Sequence, residues 1–291
     1  MRLDIDSLRT FKTVVDVGGI TRAAQRLNLT QSAVSHKLAR LEERIGRPLL
    51  SKGTGGVAPT PDGRDLLSYA ERLIALHDEA ADHFRTSGLA GEIRLGSTED
   101  ATGKKLAAIL GRFRRAHPQV SLSIRVAQSL RLQEWLQAGE IDLAILQVFA
   151  DDVRPDDHEL WREDLIWVRA VDHAIEIDRA IPFVSFDRQC FYRVAAVQRL
   201  ADSGRSLNVI LECPSAEGVR AGVRHGLGLA LLNRRNMIPG LVEVTGDLPV
   251  FPPVCHVLRR RSDLPTALEA GLTEAVLAEM REAGMREAGP A

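Results

Sequence analysis

The chain has 291 residues, 45% of them hydrophobic and 26% charged, with a formal net charge of -1. That length suits two or three compact units, and that balance suits a globular protein rather than a disordered or fibrous one. No stretch reaches the roughly 18 apolar residues that span a bilayer, and Met-Arg-Leu-Asp-Ile-Asp opens the chain with no apolar run behind it, so neither membrane insertion nor a signal peptide is expected.

Three cysteines, Cys190, Cys213 and Cys255, are odd in number and widely spaced. They predict neither a disulfide framework nor a zinc site, and a cytoplasmic protein is expected. A first helix is expected over residues 3–17, where Leu8, Phe11, Val14 and Val15 recur at helical spacing and Gly18-Gly19 stops the run. Residues 20–45 then spell two short helices. Ala24, Leu27, Val34, Leu38 and Leu41 fall at three- and four-residue steps, and Asn28-Leu29-Thr30 breaks the run, with Thr30 as N-cap of a helix starting at Gln31. Gln31, Ser32, Ser35, His36, Lys37 and Arg40 are left on the exposed first turns. In a helix-turn-helix those turns enter the DNA major groove.

The charge fits that reading. Arg22, Arg26, Lys37, Arg40, Arg44, Arg47 and Lys52 face only Glu42 and Glu43 in this stretch. A local basic excess on a nearly neutral chain suits a phosphate-binding face, although ordinary helical hairpins also have basic outer faces. Residues 47–63 have the form of a small β-wing around Gly-Thr-Gly-Gly. Lys52 and these glycines either meet the phosphate backbone or merely close the domain.

Thr60-Pro61-Asp62-Gly63 opens a long helix with Thr60 as N-cap and Pro61 first. Leu66, Leu73 and Ala80 recur every seven residues, with Tyr69/Ala70, Leu76/His77 and Phe84 as the alternate row. Such a seam wants a partner helix, from a second copy or from the same chain. After the linker Ser87-Gly88-Leu89-Ala90-Gly91, short apolar strands alternate with helices, which predicts an α/β domain with mostly parallel strands. Strands are expected at 93–97, 122–126 and 143–146, then near 165–171, 183–186, 209–211, 229–232 and 254–261. Helices are expected at 104–116, 130–138, 191–201, 216–225 and 266–283. Two lobes joined by crossing strands leave a cleft for a ligand.

In this order the pieces resemble LysR-type transcriptional regulators along essentially the full length. The resemblance rests on Phe11 with Gly18-Gly19 and Ala23-Ala24-Gln25-Arg26-Leu27, on Thr30-Gln31-Ser32-Ala33-Val34-Ser35 with Leu41-Glu42, and on Thr60-Pro61-Asp62-Gly63. It rests further on Ala138-Gly139-Glu140-Ile141-Asp142-Leu143-Ala144-Ile145 and Gly226-Leu227-Gly228-Leu229-Ala230. Glu99-Asp100 and Cys190-Phe191-Tyr192-Arg193 look closest to the LrhA-type branch. The resemblance implies an all-α winged helix-turn-helix domain (1–60), a dimerising linker helix (61–89) and an α/β, two-lobed, periplasmic-binding-protein-like (type 2) effector domain (90–291). The lobes would be roughly 90–163 with 264–291, and 164–263. It also implies a homodimer or homotetramer on a partly palindromic promoter site, an effector that alters DNA bending, and RNA polymerase as a partner. Ser32 and His36 stand where proline and arginine are frequent in the family, and Ser51-Lys52 where a glutamate-arginine pair is common. Lys52 keeps the charge but not the bidentate geometry.

Gln31, Ser32, Ser35 and His36 are the candidates for reading base edges. Thr21, Arg22, Lys37, Arg40 and Lys52 suit phosphates, which position rather than specify, and Thr30 completes the DNA-facing set. Ser35 has a packing alternative, and Arg44 and Arg47 are better read as solvated or ion-paired. The resemblance places an effector near Thr98, Glu99, Asp100, Ser129, Gln147, Cys190, Phe191, Arg193 and Ser215. Ser129 and Ser215 each precede an expected helix, whose free N–H groups favour an anion unless the serines simply cap it. Glu99 and Asp100 would repel an anion unless Arg193 neutralises them, or would instead cap the helix at Lys104 and pair with Lys104 or Lys105. Cys190 at a helix start with Arg193 one turn on is either a redox-active thiol of lowered pKa or a small pocket-wall residue.

Two other classes compete. The later two thirds alone would suit a transport-type binding protein. For an enzyme, no glycine-rich phosphate loop, Gly-x-Ser-x-Gly elbow or metal-binding helix stands at usable spacing. No catalytic residue, metal or cofactor is therefore expected; double-stranded DNA and a small-molecule effector are the expected partners.

Overall fold

The structure is a computed structural model describing residues 3–53, 56–85, 88–175, 177, 180–261 and 266–287. It divides into two compact units, one built mainly from residues up to 88 and the other mainly from residues 89–278.

In the first unit, α1 (Ile5–Val17) is capped by Asp4, whose carboxylate accepts the Ser7 N–H at 2.8 Å, and ends at Gly18 in the left-handed region, φ 66°. α2 (Ile20–Arg26) and α3 (Gln31–Ile45) follow, and Thr30 Oγ1 accepts the Ala33 N–H at 3.2 Å as the N-cap of α3. Leu8, Phe11, Val14, Ala23, Ala24, Val34, Leu38 and Leu41 form the shared core. This is the apolar stripe expected of each helix, closed into one cluster.

The wing consists of antiparallel β1 (Leu50–Gly53) and β2 (Gly56–Pro59); residues 54–55 of its turn lie outside the described residues. Hydrogen bonds from two places in the helices dock it. The Val57 N–H donates to the Gly18 carbonyl at 3.0 Å, and Glu42 Oε1 accepts the N–H groups of Leu49 and Leu50 at 2.7 and 3.2 Å. Gly56, φ 112°, is needed at this contact, because a Cβ there would stand 2.7 Å from the Gly18 oxygen.

α4 (Pro61–Arg85) starts at Thr60, whose hydroxyl accepts the Gly63 N–H at 3.0 Å. Its two apolar rows separate by partner. Ala70 and Ile74 are buried in the core with α1, and Leu66 and Leu67 pack against the same cluster. Tyr69, Leu73, Leu76 and Phe84 remain exposed. The row expected at Leu66, Leu73 and Ala80 is therefore split, and Ala70 belongs to the inward face.

In the second unit the first lobe has a five-stranded sheet, in spatial order β4-β3-β5-β12-β6. Its strands are β3 (Gly91–Ser97), β4 (Val120–Val126), β5 (Leu143–Phe149), β6 (His158–Glu163) and β12 (Val254–Arg260). The second lobe holds the antiparallel set β10-β7-β11 and the parallel pair β8-β9. These are β7 (Leu165–Ala170), β8 (Ala180–Ser185), β9 (Ser206–Glu212), β10 (Ala230–Asn233) and β11 (Leu241–Glu243). The helices are α5 (Lys104–Ala116), α6 (Ser129–Gln137), α7 (Phe191–Ala201), α8 (Ala216–Arg224) and α9 (Ala267–Glu287).

The expectation of a mostly parallel arrangement is corrected. Among the described strands β3–β4, β3–β5 and β8–β9 pair in parallel, with helices in their connections, whereas β10–β7, β11–β7, β12–β5 and β12–β6 pair antiparallel. A chain that returns from the second lobe arrives from the opposite end of the sheet, which sets the direction of β12. The strand at 254–260, placed with the second lobe by the lobe division, lies inside the sheet of the first.

Candidate functional site

α3 carries the first candidate surface. Val34, Leu38 and Leu41 face the core, which leaves Gln31, Ser32, His36 and Arg40 exposed and Ser35 and Lys37 half-buried. Thr21 and Arg22 are exposed at the start of α2, and Arg22 Nη2 donates to the Gly18 carbonyl at 3.4 Å. Thr30 Oγ1 is committed to its cap and also lies 3.0 Å from Ser32 Oγ. Lys37 Nζ is 3.9 Å from Asp6. Arg44 pairs with Asp4 at 2.7 Å and Arg47 with Asp62 at 2.6 Å, as the ion-paired reading expects. Asp4 sits below the usual carboxylate range, chiefly because it accepts the Ser7 N–H. Lys52 stands opposite Val57 in the wing, and its side chain lies outside the described residues. One helix thus presents amide, hydroxyl, imidazole and guanidinium groups together, a set able to reach base edges and phosphates.

The second candidate surface is the cleft between the two lobes, where the polar groups bind one another. Asp100, in the loop after β3, accepts from Gln147 Nε2 at 3.0 Å, Asn233 Nδ2 at 3.2 Å and Asn236 Nδ2 at 3.1 Å. The Tyr192 hydroxyl lies 2.7 Å from Gln147 Oε1 and 2.8 Å from Asn233 Oδ1. Glu99 Oε2 accepts the Ala216 N–H at 2.7 Å, and Gln128 Nε2 donates to the Pro214 carbonyl at 3.3 Å. Asn233, Asn236 and Tyr192 were not among the expected site residues. Beside these bonds lies a cavity of about 370 Å³, lined by Glu99, Val126, Ala127, Gln128, Arg131, Asp187, Gln189, Pro214 and Ser215.

Several expectations for individual residues change. Ser129 is the first residue of α6 rather than its cap, and its buried hydroxyl accepts the Gln147 N–H at 3.0 Å. Gln147 lies inside β5, not after it. Ser215 caps α8 by accepting the Gly218 N–H at 3.1 Å, and Glu99 occupies the neighbouring N–H, so the anion at that helix start is the protein's own carboxylate. Arg193 does not neutralise Glu99 or Asp100; it pairs with Glu212 at 2.5 Å. The side chains of Lys104 and Lys105 lie outside the described residues. Phe191 packs edge-on against Phe149, centroids 4.9 Å apart. Thr98 is buried, and its hydroxyl has no partner among the described residues.

For Cys190 the structure speaks against the redox-active alternative and for the small, inert wall residue. Cys190 stands at the start of α7 but is 3% exposed, and burial pushes its thiol up to about 12 despite the nearby N–H groups of Arg193 and Tyr192. Desolvation disfavours the thiolate and here outweighs the helix end. Behind the cleft, His256 Nε2 lies 2.6 Å from Glu163 Oε1 and 3.3 Å from Gln147 Nε2, with Trp161 stacked on the imidazole at 4.0 Å. Among the described residues no group of three or more His, Cys, Asp and Glu side chains is placed to hold a metal ion. No described helix is long and apolar enough to cross a membrane.

Residues 5–64 match the model of the bacterial regulatory helix-turn-helix proteins of the lysR family, and residues 86–281 match the LysR substrate binding domain. The chain belongs to the LysR family. It is a LysR-type transcriptional regulator with a helix-turn-helix DNA-binding domain and an effector-binding domain. Among curated relatives, the HTH-type transcriptional regulator DgdR of Burkholderia cepacia is 33% identical over 278 residues, 95% of this chain and 94% of its own. PecT of Dickeya dadantii (strain 3937) is 29% identical over 280 residues, 95% of this chain and 87% of its own. The crystal structure of full-length BenM shares the fold with a TM-score of 0.52 at 20% identity, covering 97% of this chain and 98% of its own.

Proposed function

We propose that this LysR-family regulator binds a partly palindromic promoter site as a homodimer, assembling further into a homotetramer, and answers to a small molecule held between the lobes. Gln31, Ser32, Ser35 and His36 read base edges, while Thr21, Arg22, Thr30, Lys37, Arg40 and Lys52 hold the backbone. Residues 1–60 form the DNA-binding domain, 61–89 the linker and 90–291 the effector domain. The observation that carries this reading is the polar outer face of α3 above its buried Val34, Leu38 and Leu41 stripe. The exposed row Tyr69, Leu73, Leu76 and Phe84 on α4 supports a partner helix from a second copy.

The effector occupies the cavity beside Glu99, Gln128 and Ser215, near Thr98, Asp100, Ser129, Gln147, Cys190, Phe191 and Arg193, and competes with the hydrogen bonds that join the lobes. The effector then changes how the assembled protein bends DNA and meets RNA polymerase, in the cytoplasm. Selection of genomic fragments by the purified protein tests the proposal: recovery of a defined, partly palindromic sequence is expected.

A further inference from the structure

Away from the cleft, the first lobe has a second cavity of about 70 Å³, whose walls carry Arg154, Arg259, Arg260 and Arg261 with Gln133 and Gln137. It lies where the end of β12 meets the last turns of α6 and the loop before β6. The volume gives room for several water positions, each of which needs roughly 10–15 Å³.

The carboxylates nearby are already committed. Asp157 takes Arg259 through two bonds of 2.7 and 2.6 Å, in a pair whose side chains are almost fully buried, and it also accepts the Arg154 N–H at 2.9 Å. Asp142 takes Arg94 through bonds of 3.1 and 2.7 Å and stands 3.5 Å from Arg261. Among the described residues no carboxylate lies within ion-pair distance of the Arg154 or Arg260 guanidinium. The Nε of Arg260 is buried with no hydrogen-bond partner among the described residues, a state that proteins seldom leave unfilled. Gly139, φ 70°, makes the left-handed turn beside which Arg261 lies. A cation suits the C-terminal end of α6, but one is enough for that purpose.

We propose that this cavity is an anion site of the effector domain, taking a phosphate-sized oxyanion either as the free ion or as the ester head of a metabolite. Guanidinium forks bind such groups through paired N–H donors. The site is separate from the interlobe cavity and does not depend on the reading of that cavity.

The test titrates the full-length protein with inorganic phosphate, and in a second arm with glycerol 3-phosphate, at constant ionic strength while following Tm. Arg154→Glu, at an exposed position, and Arg260→Gln are the site variants; Arg40→Ala controls for phosphate on the DNA-binding face. The expected result is a saturable rise in Tm with at least one of the two ligands. Arg40→Ala should retain it, while Arg154→Glu and Arg260→Gln abolish it or shift its midpoint by about tenfold or more. Should Arg260→Gln fail to fold, Arg154→Glu decides alone. Saturation by the ester only assigns a metabolite, and saturation by both assigns the oxyanion itself. No saturable rise with either ligand, or a rise kept in Arg154→Glu, overturns the proposal.

Discussion

The Tyr192 hydroxyl on α7 lies 2.7 Å from Gln147 Oε1 on β5, so a helix of the second lobe is bonded to a central strand of the first. Asp100 with Asn233 and Asn236, and Glu99 with the Ala216 N–H, add to the same seam. The lobes are thus joined by direct polar contacts. Tyr192→Phe keeps the ring but leaves Gln147 Oε1 and Asn233 Oδ1 without that donor. Its expected cost is about 1–3 kcal/mol, read as a lower urea midpoint for the effector domain; an unchanged midpoint contradicts the bonded seam.

Much of the first unit was legible because its boundaries depend on local chemistry. Gly18 and Gly46 adopt the left-handed conformation at helix ends, and Thr30 and Thr60 use their hydroxyls as caps. The second unit was legible only as alternating strands and helices. β6 carries His158, Glu159, Arg162 and Glu163 and so reads as polar loop, yet Leu160 and the Trp161–His256 stack bind it to the sheet. Its pairing with β12 spans about ninety residues, and no short-range pattern encodes that. The cleft was located by its loops, but the partner of each carboxylate was not. Asp100 and Glu99 are matched by side chains and a backbone N–H from distant segments, and Arg193 by Glu212.

Acid should weaken the first lobe through Glu163. Burial alone would raise its carboxyl, but the hydrogen bond and electrostatic pull of His256, with the Trp161 indole and Arg235, hold it below the ordinary value. A depressed folded pKa contributes stability that is fully present above the unfolded value of about 4.3 and is lost as pH falls through the folded value. Urea midpoints measured from neutral pH downward should therefore fall less steeply below about pH 4.3 in Glu163→Gln than in the parent. Parallel curves would remove Glu163 from the account.

Cys190 should be inert in the native state. A thiol held at about 12 carries on the order of a thousandfold less thiolate than a free one of pKa about 8.5. Alkylation at neutral pH, followed residue by residue by mass spectrometry, is expected to reach Cys190 only on unfolding. A native rate near that of free cysteine would revive the redox reading.

The exposed row on α4 leads to a mass measurement. Leu73 is 39% exposed beside Tyr69 and Leu76, and a charge in such a seam opposes helix pairing. Leu73→Glu should lower the mass seen by light scattering to that of one chain, with helicity unchanged. Retention of the parent mass would exclude this row as the dimer contact.

The most direct measurement is genome-wide selection of DNA fragments by the purified protein beside a Gln31→Ala/Ser35→Ala control. The account predicts a defined, partly palindromic site that the control loses, while both proteins keep salt-dependent non-specific binding. The same site recovered by the control would contradict the assignment of α3 as the reading helix.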